Sequence, residues 1–79
     1  MAVSDKIKAL MKLKGRKSTE LAAYLGMTPQ AMRNKFSRDS FSAYDLIKVS
    51  DFLDCSLYFE LKENQKIVLE MADMPDTKT

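Results

Sequence analysis

The sequence has no histidine, no tryptophan, a single cysteine and only two glycines in 79 residues. Without histidine, the imidazole-based acid–base, nucleophile-activating and zinc-binding arrangements cannot be assembled. Cys55 has no second thiol to pair with and no imidazole to activate it. The composition therefore predicts no catalytic residues, no metal site and no cofactor. Cys55 is expected to pack as a small hydrophobe in a reducing, cytoplasmic setting. Long apolar runs are also missing, and none approaches the roughly 20 residues that a membrane-spanning helix needs. The opening stretch MAVSDKIKALMKLK sets lysines among its apolar residues, which is not the pattern of a secretory leader.

What is present is an ordinary globular mixture, with 46% hydrophobic and 30% charged residues, so neither disorder nor a membrane protein is indicated. The length suits a single domain over residues 1–79, whose core would be marginal and would gain from a partner subunit. The charge is unevenly placed. Residues 1–48 hold ten Lys/Arg against four acids, whereas residues 49–79 hold three against seven. A basic front and an acidic back suit a polyanion bound on one side.

Helical signals follow one another closely. Ser4 is the expected cap of a first helix, with Asp5 near its positive end and Ile7, Leu10, Met11, Leu13 and Lys14 along its inner stripe. Gly15 ends it. Ser18 or Thr19 opens a second helix with Leu21, Ala22 and Leu25 facing inward, and Gly26 supplies the left-handed residue that stops it. Thr28 caps a third helix with Pro29 at its first position, where the missing N–H is not needed. Met32 and Phe36 face inward from it. Ser42 and Asp45 have capping-box spacing at the start of a fourth helix carrying Leu46, Ile47, Val49, Phe52 and Leu53. After Asp54 the period becomes two, which predicts a hairpin over 56–71. A Glu63-Asn64-Gln65 loop would pair 61 with 67, 59 with 69 and 57 with 71. Residues 72–79 read as a flexible tail.

Two short helices joined by a glycine-bearing turn form a helix-turn-helix candidate. The stretch S-T-E-L-A-A-Y-L-G-M-T-P-Q-A-M-R-N-K-F, residues 18–36, resembles the Cro/repressor-type (Xre-type) helix-turn-helix family of DNA-binding proteins. The resemblance rests on the spacing of Ala22, Gly26 and Met32, with Leu21, Leu25 and Phe36 as buried flanks. It covers about residues 4–54 and implies a mainly α fold, a compact four-helix repressor-like bundle, here followed by the hairpin. Two positions depart from the pattern: Ser18 stands where glutamine is frequent, and Met32 where a branched residue is usual.

The resemblance implies that the third helix, 28–37, enters the major groove of double-stranded DNA. Gln30, Arg33, Asn34 and Thr28 are then the expected base contacts, because an amide can grip adenine and a guanidinium guanine in bidentate fashion. Lys17, Ser18, Thr19, Lys35 and Arg38 are the expected phosphate contacts. The implied function is transcriptional regulation at the nucleoid by a homodimer, joined through the hairpin, the end of helix four, or both. A protein-interaction module or an antitoxin built on the same fold is the alternative reading. No small-molecule ligand is evident.

Overall fold

The fold is described from a computed structural model that covers residues 2–75. Four helices come first: α1 (Val3–Lys14), α2 (Ser18–Leu25), α3 (Pro29–Arg38) and α4 (Ala43–Phe52). An antiparallel pair of strands follows, β1 (Leu57–Glu60) and β2 (Lys66–Leu69), and then a 3-10 turn over Met71–Asp73.

All four helices end in the same way. A residue in the left-handed region follows each one: Gly15 (φ 66°), Gly26 (φ 71°), Asp39 (φ 54°) and Asp54 (φ 54°). In each case the N–H one residue further on reaches back five residues, as from Met27 to the Ala22 carbonyl (2.8 Å) and from Cys55 to that of Ser50 (3.0 Å). This is the Schellman arrangement, which satisfies orphan carbonyls and turns the chain sharply. Glycine adopts such a conformation without steric cost, and Asp tolerates it better than most residues.

Helix starts rely on carboxylates at the third helical position. The Lys17 N–H donates to Glu20 Oε1 (2.8 Å) and the Ser42 N–H to Asp45 Oδ2 (2.9 Å), with Ser42 Oγ accepting from the Asp45 N–H in return (3.1 Å). Thr28 caps α3 by accepting from the Ala31 N–H at 3.1 Å, with Pro29 following it as expected. The first helix departs from expectation. Its cap is Ala2, whose N–H donates to Asp5 Oδ2 (3.1 Å), while Ser4 lies inside the helix and is buried. The Ser4 N–H, one of the orphan donors of the first turn, is taken by Asp39 Oδ1 at 2.7 Å. The start of α1 is thereby tied to the end of α3.

The core is built from Ile7 and Met11 of α1, Leu21 and Ala22 of α2, Met32 of α3, and Val49 with Leu53 at the end of α4. Leu21, Met32 and Leu53 are its largest fully enclosed side chains. Leu25 and Phe36 are half-buried against this cluster. Leu13, expected on the inner stripe, is instead 82% exposed, and Leu10 sits at the edge of exposure. From Ile7 to Leu13 is six residues, or about 600° of turn at 3.6 residues per turn, which carries Leu13 to the far side of the helix.

The hairpin is also corrected. Leu57 pairs with Leu69, Tyr58 with Val68, Phe59 with Ile67 and Glu60 with Lys66. The partner of each β1 residue is thus two positions earlier in the chain than expected. The loop is Lys62-Glu63-Asn64: the Asn64 N–H donates to the Leu61 carbonyl (3.0 Å) and the Leu61 N–H to that of Gln65 (2.7 Å). Asn64 takes the left-handed position at φ 64°, giving a turn with a one-residue bulge. A shift of two preserves which face each side chain occupies, so the expected apolar face survives with different partners. Met71, expected opposite Leu57, opens the 3-10 turn instead. Of the expected tail, residues 76–79 lie outside the described part of the chain.

Gly26 has nothing within 4 Å of where a Cβ would stand, so its role is conformational rather than spatial. Gly26→Ala is therefore expected to destabilise the fold by about 1–2 kcal/mol, and Gly26→Asn by clearly less. Urea denaturation of the two variants beside the wild type checks the order.

Candidate nucleic-acid interface

Helix α3 turns one face inward through Met32 and Phe36 and leaves Gln30, Arg33 and Asn34 exposed. Residues three and four apart lie on one helical face, and these three are joined along it. The Arg33 guanidinium donates to Gln30 Oε1 (2.6 Å), and Gln30 Nε2 donates to Asn34 Oδ1 (3.2 Å). Three of the four expected base-reading residues thus form one exposed polar strip, in which the Gln30 amide accepts from the guanidinium and donates to Asn34. Thr28 lies just before this strip. Its hydroxyl already caps the helix, so its methyl group and remaining donor capacity are what it offers outward.

The expected phosphate contacts divide into two groups. Lys17, Ser18 and Thr19 stand together and exposed at the start of α2, where the backbone N–H groups add a partial positive charge. Arg38 is exposed at the end of α3. Lys35 is placed differently from these. It is half-buried, and its ammonium donates to Asp45 Oδ2 (2.8 Å) and to the Ser40 carbonyl (3.0 Å) while lying 5.7 Å from the Phe41 ring centroid. The structure thus gives this side chain a brace between the end of α3 and the start of α4.

Sequence reasoning passed over a second set of cations. Between α1, α2 and α3 lies an open cleft of about 760 Å³, floored by Met11 and Phe36 and rimmed by Lys8, Lys12, Arg16 and Arg33 beside Ser18. No acid lines it. Lys8 lies 5.5 Å from the Phe36 ring centroid. Arg16 is stacked 4.1 Å from the centroid of Phe52 and 3.3 Å from Glu20 Oε1, so its fork is held at the mouth of the α1–α2 turn. The four-residue spacing of Lys8 and Lys12 on α1 was the only sequence signal, since Arg16 lies beyond Gly15.

Two carboxylates near this face are perturbed. The Lys17 backbone N–H, and then the Arg16 side chain, hold the Glu20 carboxyl below its usual range. Burial alone would raise Asp45; the hydrogen bonds from Lys35 and from the Ser42 backbone N–H outweigh it and hold this carboxyl below its usual range too. On the far side, Tyr24 donates its hydroxyl to Asp51, which pushes the phenol upward, and stacks on Phe52 with ring centroids 5.2 Å apart. Tyr24 thus belongs to the α2–α4 contact.

Two helices crossing at a left-handed glycine, with a polar, cation-flanked second helix, define a helix-turn-helix of the repressor type. The model of the bacteriophage CI repressor helix-turn-helix domain family matches residues 5–59, and the chain belongs to that family. No curated protein and no solved structure matches it. The family's repressor description assigns the chain to DNA-binding regulators. The matched segment takes in all of α2, α3 and α4 and most of β1, but not β2. No helix of the described residues is long and apolar enough to cross a membrane.

A carboxyl with a lowered pKa contributes stability above its unfolded value and loses it as pH falls through the folded one. Asp45→Asn is accordingly expected to cost about 1 kcal/mol at pH 7. The gap to wild type should begin to narrow near about pH 4, the unfolded aspartate value, and close as pH falls on through the lowered folded value. Thermal melts of both proteins from pH 7 to pH 2.5 measure this.

Proposed function

We infer that the chain is a sequence-specific double-stranded DNA-binding protein that regulates transcription at the nucleoid as a homodimer. Helix α3 would lie in the major groove. The observation that carries this reading is the exposed, mutually bonded strip of Gln30, Arg33 and Asn34 on the second helix of a CI-repressor-type motif. Gln30 or Asn34 would read adenine and Arg33 guanine, each good bidentate contact contributing ~1–3 kcal/mol of discrimination.

Thr28, at the N-cap of α3, would meet a thymine methyl. Lys17, Ser18, Thr19 and Arg38 would hold phosphates on either side. Lys35 would serve the same interface indirectly, by fixing the end of α3. A single basic module binds non-specifically at around 10⁻⁴ to 10⁻⁶ M at physiological salt. A two-fold pair would set two copies of α3 about 34 Å apart and read a palindrome, multiplying the discrimination.

Fluorescence anisotropy on a labelled random-sequence duplex, taken across 50–300 mM salt, tests this reading. Wild type is expected to show a steep negative log–log dependence on salt. Lys17→Ala with Arg38→Ala should flatten the slope by about 2. Arg33→Ala should leave the random-sequence slope nearly unchanged and lose discrimination on a selected operator. No binding at 50 mM by folded protein would overturn the proposal and favour the protein-interaction reading.

A further inference from the structure

The hairpin carries apolar side chains that stay largely exposed among the described residues. Leu57 and Leu69 are half-buried against the helices, where Leu57 borders a shallow groove with Leu46 and Val49. Beyond them Phe59 is 65% exposed, Ile67 57%, Val68 46% and Tyr58 41%. A two-stranded hairpin alone is marginal in water, and its free edges are templates for another strand.

The hydrogen bond from the Leu61 N–H to the Gln65 carbonyl fixes which backbone groups face outward. In an antiparallel ladder, hydrogen-bonded and non-bonded pairs alternate. Gln65, Ile67 and Leu69 therefore point their N–H and C=O toward β1, and Lys66 and Val68 point theirs away from it. Among the described residues, no hydrogen bond reaches those outward groups. At Glu70 the N–H is taken by Asp73 Oδ2 at 2.9 Å, so there the edge offers only its carbonyl.

We propose that the β2 edge pairs with the β2 edge of a second copy of this chain about a two-fold axis, with Val68 opposite Val68 and Lys66 opposite Glu70. The proposal deepens the homodimer of the functional reading and rests on it. An isologous contact requires self-complementarity, and β2 has it. Pairing about Val68 brings each Lys66 against the other copy's Glu70, so two opposite-charge cross-strand pairs form at once. Strand β1, Leu-Tyr-Phe-Glu, holds no cation, so pairing with itself brings no opposite charges together. It also packs against α4.

In the four-stranded sheet Tyr58 and Val68 of both copies make one continuous stripe. On the opposite face Ile67 lies across from the other copy's Leu69, beside Phe59. The exposed apolar side chains of the hairpin thereby gain partners on both faces.

Sedimentation velocity on the full chain at 10–100 μM tests the pairing with Lys66→Glu, Glu70→Lys and the double exchange. Both residues are exposed, so the fold should tolerate the changes. Each single change sets two like-charge pairs across the axis and is expected to weaken the dimer roughly tenfold. The double exchange should restore it. A second measurement uses Val68→Cys in a Cys55→Ser background. Paired residues of this kind have Cα atoms about 5.5 Å apart, within disulfide range, so oxidation should give a covalent dimer that Tyr58→Cys in the same background does not.

A protein that stays monomeric at 100 μM overturns the pairing. So does a dimer indifferent to all three charge variants. Anisotropy on the random duplex separates the two readings: a monomer that still binds DNA sinks only this pairing, whereas a charge-sensitive dimer that binds none sinks only the DNA reading.

Discussion

Everything on the candidate DNA face depends on how α2 crosses α3, and that crossing rests on one backbone conformation. With Gly26 in the left-handed region, the Met27 N–H closes onto the Ala22 carbonyl and the chain reverses in a few residues. Ala22 is small enough to let the helices approach, and Met32 fills the space beside Leu21. Met32 is unbranched, and a flexible thioether fits an irregular gap with little strain. Because Met32 is fixed inward, Gln30, Arg33 and Asn34 must face outward: helical periodicity converts one packing decision into the placement of the reading surface.

The rest of the bundle holds that crossing still. Asp39 accepts from the Ser4 N–H and so ties the far end of α3 to α1. Lys35 ties the same end to α4 through Asp45. Surface ion pairs contribute little as a rule, but this one is half-buried and shares its carboxylate with a helix cap, so it orients as well as attracts. The Lys35 ammonium is already engaged by Asp45 and the Ser40 carbonyl. In the proposed DNA reading, further charge for phosphates would come from the start of α2 and from the α1 cations around the cleft.

The sequence made the helix ends plain wherever a side chain with one conformational preference marked them. Gly15, Gly26, Thr28, Pro29 and Ser42 all stand where expected. The start of α1 was less legible because its cap is a carboxylate at the third position acting on the Ala2 N–H, and Ser4 supplied a decoy. The hairpin faces could be read because side chains alternate with period two, but its register could not. Leu61 looks like a strand residue, yet it opens the turn, and an αL asparagine is a weaker marker than a glycine. The candidate base readers were legible from the motif. The Lys8, Lys12 and Arg16 group was not, because Gly15 breaks the helix between its members and only the folded turn brings them to one cleft.

The division of charge along the chain follows the same logic. The cationic residues concentrate in α1 to α3, and the last third of the chain, with the hairpin, is acidic. In the field of a polyanion such a molecule is drawn in with the α2–α3 side forward and the hairpin pointing away. The β2 edge itself carries one cation, Lys66, and one carboxylate, Glu70, so it adds no net attraction to a polyanion and remains open to another strand. Glu70 is one of the acids of this last third, and in the proposed pairing about Val68 it is the group that selects Lys66 of a second copy. One distribution of charge would therefore set both the approach to DNA and the register of the dimer.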